Sequence, residues 1–333
     1  MTINATHIGE KIDGIGRFSL IIAKYFIQDG YKVAVNKNAL THFSKKERDN
    51  LEIVDKKVSP DYGFKGHILR LLYTNRLKGK ILNLSQLEIS FWNKKQIVVV
   101  HDIIPLLFPK YHKKQYHFFK YILPFILKYR VSHIVTVSNH TKELLINKYK
   151  ISSDKITVIY NGIDTRCKES QKENYFLFVG RDSPTKNIDR LVEAFSLIEN
   201  RDIKLILVGV KRTFGDQRVV SLGYIDENQL RELYSKAKYF IFPTLYEGFG
   251  FPALEAMRCK CATIVSKAGS LPEVCKEGAL YVDEYSVKDI ANKMRDLINN
   301  KNLCKKIVDR GYTISKEYNW DKSYKQYKEV ISS

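Results

Sequence analysis

The chain has 333 residues, of which 44% are hydrophobic, 12% aromatic and 28% charged. This is globular usage, and it excludes collagen-like, mucin-like and disordered classes. The length suggests about two domains of common size, and no apolar run approaches the roughly 18 residues that a membrane-spanning helix needs.

Formal net charge is +20 and unevenly spread. Residues 1–150 hold 26 Lys and Arg against 11 Asp and Glu, whereas residues 151–333 hold 30 against 25. Two runs, Phe64–Lys80 and Lys110–Arg130, carry five and six Lys and Arg, no acid, and interleaved aromatic and aliphatic residues. Such a face attracts polyanions, with an anionic membrane surface the expected partner ahead of nucleic acid. The opening MTINATHIGEK has no basic segment followed by an apolar core, so no secretory signal is expected. Five cysteines, all at or after Cys167, suit a reducing cytosol and no disulfide framework. Cys259 and Cys261 lack a second ligand pair at zinc spacing and read as thiols.

In chain order, a short strand at Thr2–Ala5 leads to Asp13-Gly-Ile-Gly-Arg17, which opens a helix striped with Phe18, Ile21, Ile22, Tyr25 and Phe26. The glycines resemble part of a dinucleotide fingerprint. The following strand, however, ends in Asn36 rather than an acid, which disfavours NAD. Strands are then expected at Lys32–Val35, Ile81–Leu84, Gln96–His101, His133–Ser138 and Ile156–Ile159. A second series follows at Tyr175–Gly180, Lys204–Gly209, Lys238–Pro243, Ala262–Ser266 and Ala279–Val282. Most are continuous apolar runs, as for parallel strands buried on both faces. Helical patterns lie between them; Asp226 and Gln229 form a capping box for Glu227–Ala237. The alternation predicts an α/β protein with parallel sheets. The polar stretch Thr165–Asn174 reads as the interdomain linker.

Four segments carry chemistry. His101-Asp102 follows the strand QIVVV, at the end where α/β sites lie; the alternative is a structural histidine beside a helix-capping Asp. Gly180-Arg-Asp-Ser-Pro-Thr-Lys-Asn187 spans a strand-to-helix turn where Arg181 and Lys186 suit a diphosphate. Glu247-Gly-Phe-Gly-Phe-Pro-Ala-Leu-Glu255 combines two glycines, a helix start at Pro252 and two carboxylates that can accept hydrogen bonds from sugar hydroxyls; Glu247 is expected on the loop and Glu255 in the first helical turn. The Asp13–Arg17 loop is the fourth. No Asp-x-Asp occurs, so a carboxylate-held metal is not expected and charge neutralisation falls to Arg181, Lys186 and helix dipoles.

Glu247–Glu255 resembles the Glu-x7-Glu signature of glycosyltransferase family 4. The glycine loop, the Gly180–Asn187 turn, Asn161-Gly-Ile-Asp164, Ser138-Asn-His-Thr141 and Gly269-Ser-Leu-Pro-Glu273 fit the same family in the same order, from Gly14 to Trp320. The resemblance implies an α/β fold of GT-B type: two Rossmann-like domains with parallel sheets facing a central cleft. Residues 1–165 would bind acceptor, residues 166–315 nucleotide-sugar, and residues 316–333 would form a helix crossing back. It implies a retaining hexosyltransferase, metal-independent and without cofactor. The donor would be a nucleoside-diphosphate sugar, GDP-mannose first and a UDP-sugar next. The acceptor would be a glycan or lipid-linked glycan of cell-surface polysaccharide (O-antigen, capsule or exopolysaccharide). The expected location is cytoplasmic, peripheral on the inner face of the membrane.

Carried over by residue, Arg181 and Lys186 would hold the diphosphate and Glu255 the ribose. Glu247, with Gly248 and the amides of Phe249, Gly250 and Phe251, would hold the hexose. Gly14 and Gly16 would let phosphate approach, His101 and Asp102 would lie near the reaction centre, and Tyr224 and Ile225 would meet the base. Thr185 stands where a basic residue often precedes the lysine, which shifts weight to Arg181. The rival readings are a basic nucleic-acid-binding α/β protein, for which no known nucleic-acid module is visible, and a GT-B sugar phosphorylase or epimerase.

Overall fold

The computed structural model describes residues 1–163, 167–168 and 170–332. The chain divides into two compact units, one of residues 1–161 with 320–333 and one of residues 162–319. Asp164 and the start of the expected linker lie outside the described residues.

Unit 1 is built on seven parallel strands: β1 (Thr2–Asn4), β2 (Lys32–Asn36), β3 (Leu51–Val54), β4 (Ile81–Asn83), β5 (Gln96–Val100), β6 (His133–Thr136) and β7 (Ile156–Val158). Their order is β3-β2-β1-β4-β5-β6-β7. The strand order reverses between β1 and β4, the position where open α/β sheets take ligands at their carboxyl ends. The interior is not wholly apolar. Asn4 Nδ2 donates to Asn83 Oδ1 (2.9 Å) and to Thr74 Oγ1 (3.0 Å), Asn83 Nδ2 donates to Gln96 Oε1 (3.0 Å), and Gln96 Nε2 donates to the carbonyls of Ser90 and Arg130 (2.6 and 3.0 Å). All four side chains are buried, and such a chain of satisfied amides fixes strand register where apolar contacts alone would tolerate slippage.

Unit 2 carries six parallel strands: β8 (Glu173–Val179), β9 (Lys204–Val208), β10 (Val219–Gly223), β11 (Ala237–Phe242), β12 (Ala262–Ser266) and β13 (Ala279–Val282). The order is β10-β9-β8-β11-β12-β13, with its reversal between β8 and β11. The helix Glu227–Lys236 starts with the expected capping box of Asp226 and Gln229. Sequence patterning located eleven of these strands and missed β3 and β10. Both are edge strands. Their segments, LEIV and VVSLG, include partly or fully exposed positions and lack the continuous apolar run of a central strand.

The final helix, Trp320–Ser332, belongs to unit 1. Its Tyr324 ring stacks on Tyr25 (5.0 Å between centroids) and meets Phe26 edge-on at the same distance. Tyr324 Oη donates to Asp29 Oδ2 (2.8 Å), and Ser323 Oγ donates to the Tyr160 carbonyl (2.6 Å).

One expectation is corrected. Cys259 is not a free thiol: it is disulfide-bonded to Cys167. Cys167 lies just past the end of the helix Phe251–Arg258, where Lys172 Nζ also donates to the Cys259 carbonyl (2.6 Å). The two cysteines are 92 residues apart, so no local spacing betrays the pair. Cys261 and Cys275 are buried thiols, and burial raises their pKa to about 11 and about 12.

Candidate functional site

Two of the sequence-marked segments meet at the β8/β11 reversal of unit 2. The turn Gly180–Asn187 leaves the end of β8, and the loop reaching Glu247 leaves the end of β11. Arg181 lies exposed at the start of its turn. The neighbouring acids Asp182 and Asp189 are held by Arg212 (3.0 and 2.5 Å), so among the described residues no acid pairs with Arg181. Lys186, half-buried, forms an ion pair with Glu247 Oε1 and lies 4.9 Å from the Phe242 ring centroid. The Thr244 hydroxyl, 2.8 Å from the Thr185 carbonyl oxygen and 3.0 Å from Glu247 Oε1, clips the two loops together. Leu245 N adds a second bond to the Thr185 carbonyl (2.8 Å). Thr185 therefore works through its backbone, as the bridge between the motifs.

Gly269-Ser-Leu-Pro-Glu273 buttresses the backbone of Glu247. Ser270 N and Oγ both donate to the Glu247 carbonyl (3.0 and 3.1 Å). Gly269 has φ +63°, and a Cβ there would stand 2.3 Å from the Glu247 carbonyl oxygen. Only glycine fits both demands. Gly250, at φ +95°, precedes the helix Phe251–Arg258, whose start no side chain caps. Phe249 is buried and meets Phe251 at 5.2 Å between ring centroids. Glu255 falls in the second turn of that helix rather than the first, and it is only 3% exposed. Tyr224 and Ile225 follow β10 at the sheet edge. The Tyr224 ring is exposed, with Lys211 Nζ 5.9 Å from its centroid.

The unit 1 candidates gather at the ends of β1, β4 and β5. Asp13 caps the helix Gly14–Gln28, accepting from Gly16 N (2.8 Å). Gly14 has open space around it, whereas a Cβ on Gly16 would stand 3.3 Å from Asp13 Oδ1. Asn36 donates to the carbonyls of Thr6 and Ile8 (2.8 and 2.6 Å), so it holds the loop after β1. His101 is buried. Its Nε2 lies 2.9 Å from the Leu84 carbonyl oxygen, and its ring meets Phe18 edge-on at 4.7 Å. Burial pushes its pKa down to about 4, so the imidazole is neutral at pH 7 and Nε2 carries the proton donated to Leu84. Asp102 accepts from Ile104 N (3.0 Å) at the entry of the short helix Ile104–Leu107. These contacts match the structural alternative for the pair, and they leave Nε2 of His101 engaged.

Sequence reasoning passed over a neighbouring constellation. His7 Nδ1 is 2.7 Å from Glu88 Oε2, His7 Nε2 is 2.7 Å from Ser19 Oγ, and Glu88 Oε1 accepts from Thr6 Oγ1 (2.7 Å) and His7 N (2.6 Å). All four side chains are buried, at the β1/β4 reversal. His7 stood alone in the sequence because Glu88 is 81 residues away. The one local signal was the position of His7 directly after the first strand.

Solved structures share this architecture. Sucrose-phosphate synthase from Thermosynechococcus elongatus is 18% identical with a TM-score of 0.77, covering 99% of this chain and 98% of that one. HepE (Alr3699) of Anabaena, in complex with UDP and glucose, is 17% identical with a TM-score of 0.78, covering 100% and 99%. The fold is that of the GT-B glycosyltransferases. A family model described as Glycosyltransferase Family 4 matches residues 12–166, and one described as Glycosyl transferases group 1 matches residues 164–314. The chain belongs to these glycosyltransferases. It is 29% identical to the O-antigen chain mannosyltransferase RfbU of Salmonella typhimurium, over 89% of this chain and 90% of that protein. It is 25% identical to the serotype-specific mannosyltransferase WbdA of Escherichia coli over 68% of this chain, but spans only 32% of that longer protein.

Proposed function

We propose that this protein transfers a hexose, with mannose from GDP-mannose the first candidate, from a nucleoside-diphosphate sugar to a glycan or lipid-linked glycan of cell-surface polysaccharide, with retention of configuration. The observation that carries the reading is the meeting of the Gly180–Asn187 turn with Glu247 at a sheet reversal, tied by the Lys186–Glu247 pair. The similarity to mannosyltransferases of O-antigen synthesis supports the choice of sugar and acceptor class, and the likeness to a UDP-complexed neighbour supports a nucleotide donor.

In this reading Arg181 and Lys186 neutralise the diphosphate, and Glu255 accepts from the ribose. Glu247, Gly248 and the amides of Phe249, Gly250 and Phe251 bind the hexose, and Tyr224 and Ile225 meet the base. Unit 1 supplies the acceptor side, its Gly14–Gly16 loop lets the phosphate approach, and His101 and Asp102 lie near the reaction centre. The bond from the anomeric carbon to the β-phosphate oxygen breaks, the acceptor oxygen joins the same face, and its proton passes to the departing phosphate. Fixed positive charge on that phosphate supplies much of the acceleration, and no metal or cofactor is required.

The test is release of free nucleoside diphosphate, assayed with GDP- and UDP-sugars, with and without acceptor, in the presence of a chelator. Arg181→Ala and Lys186→Ala are each expected to lower the rate about 100-fold or more while leaving the melting transition in place. Wild-type turnover in both variants refutes the clamp. Sugar-phosphate formation dependent on added phosphate would make the protein a phosphorylase, and sugar isomerisation without transfer would make it an epimerase.

A further inference from the structure

Unit 2 carries chemistry that the proposed donor site leaves unused. Beside the Cys167–Cys259 bond lies a cavity of about 510 Å³. Lys168, Lys172, Arg258 and Lys260 line it, and among its described lining residues there is no acid. The carboxylates of Glu173 and Glu232 are taken by Lys236 (3.5 and 2.8 Å). Arg258 Nη2 donates to the Ser315 carbonyl (2.8 Å), but its Nε is buried and, among the described residues, has no hydrogen-bond partner. Lys260 Nζ lies 5.0 Å from the Tyr312 ring centroid. Four cations around one space with no counter-charge repel one another, and an anion entering that space relieves the repulsion.

The two bonded cysteines line the same cavity but differ in access. Cys259 is 3% exposed, whereas Cys167 is half-buried. A disulfide with one accessible sulfur in electropositive surroundings is open to exchange, because an incoming thiolate reaches that sulfur and nearby cations stabilise thiolate charge. Two tethers do not depend on the bond. Lys168 N donates to Ser235 Oγ (3.0 Å), and Lys172 Nζ donates to the Cys259 carbonyl (2.6 Å). They keep the two cysteines within reach of one another once the bond has opened, so it can form again.

The bond also has a long lever. It joins positions 92 residues apart, and its Cys259 end directly follows the helix Phe251–Arg258, which starts after Gly250 and carries Glu255. A cross-link over such a separation restricts the unfolded chain and so favours the folded one. Opening the bond removes that restraint from unit 2 without removing any side chain.

We propose that Cys167–Cys259 is a reversible redox restraint on unit 2, opened by an anionic low-molecular-weight thiol of the carboxylate-bearing glutathione class that docks in the basic cavity. The thiolate of one such molecule attacks Cys167 Sγ. The bond between the two protein sulfurs breaks, and its electron pair leaves on Cys259 Sγ beside Lys172 and Arg258. A second thiolate attacks the small-molecule sulfur of the mixed disulfide and expels the Cys167 thiolate. Two thiols are oxidised to one disulfide, the protein gains two electrons, and the two protons the thiols lose end on Cys167 and Cys259. The small-molecule disulfide closes the bond by the reverse steps. The cavity shares no residue with the proposed donor site, so this restraint stands or falls apart from the donor chemistry.

The experiment follows the bond in the full chain with glutathione and with neutral 2-mercaptoethanol. After treatment with glutathione disulfide the chain should titrate three thiols when denatured, those of Cys261, Cys275 and Cys304, and all five after reduction. Lys168 and Lys260 are exposed, so K168E/K260E should keep the wild-type melting transition. It is expected to slow opening of the native bond by glutathione about tenfold and to leave the 2-mercaptoethanol rate within about twofold. Added salt should narrow the same difference in the wild type. In C259S, glutathione disulfide should leave one glutathione on Cys167, found by peptide mapping. Reduction should lower the wild-type melting temperature by about 5 °C or more and leave that of C167S unmoved. Five thiols in the oxidised chain, a bond that opens only after denaturation, equal slowing of both thiols in K168E/K260E, a glutathione rate untouched by that variant, or no shift in melting on reduction overturns the proposal.

Discussion

Single side chains at the two sites differ in what their surroundings leave them able to do. Lys186 and Glu247 hold one another, while Arg181 remains exposed because Arg212 occupies the nearby acids. A diphosphate reaching the turn would meet Arg181 directly and would have to share Lys186 with a carboxylate. His101 is governed by burial. Its pKa, about 4 when folded, lies below the ordinary 6.5, so the unfolded chain takes up the proton first as pH falls. The stability conferred by the neutral imidazole is therefore complete above pH 6.5 and is lost as pH drops towards 4. His101→Gln keeps a donor for the Leu84 carbonyl and removes the titration. Its unfolding free energy should vary by about 2 kcal/mol less than wild type between pH 7.5 and pH 5 in urea titrations. His67, also depressed to about 4 by burial, should leave a residual slope of the same sign.

Elements, rather than residues, decide which glycines matter. Gly269 joins β12 to the following short helix at φ +63° with the Glu247 backbone against it. Gly269→Ala is expected to cost about 3 kcal/mol or more in denaturant unfolding and to disturb Glu247. Gly14 opens a helix, with no positive φ and no neighbour within 4 Å. Gly14→Ala should leave stability within about 0.5 kcal/mol of wild type. A fall in transfer rate at unchanged stability would then locate phosphate approach at that backbone. The Glu-x7-Glu segment was legible in sequence because loop, proline and helix start are contiguous. The packing of Gly269–Leu271 beneath it was not, since the contact joins the ends of two different strands.

At the scale of the whole chain, the last helix completes the first unit from the far end of the sequence. Tyr327 is fully buried, 6.1 Å from the Phe18 ring, and Phe18 in turn supports His101. Tyr327→Ala is expected to destabilise unit 1 by about 3–5 kcal/mol, seen as lost hydrogen-exchange protection in residues 14–28 and 96–101. Retained protection there would mean that the helix is an ornament to the unit rather than part of its core. Among the described residues no helix is long and apolar enough to cross a membrane.

The amino-acid sequence by itself determined the alternation of central strands and helices, the helix start at the Asp13–Arg17 loop, the capping box at Asp226, and the identity of the residues at the donor-type motifs. Each of these rests on interactions spanning a few residues, so periodicity and spacing reveal them. Only the tertiary structure decided the edge strands β3 and β10, the Lys186–Glu247 and His7–Glu88 pairs and the Cys167–Cys259 bond. Those depend on which distant segments become neighbours, and on whether a polar side chain such as Glu88 finds a buried partner. No local pattern records either.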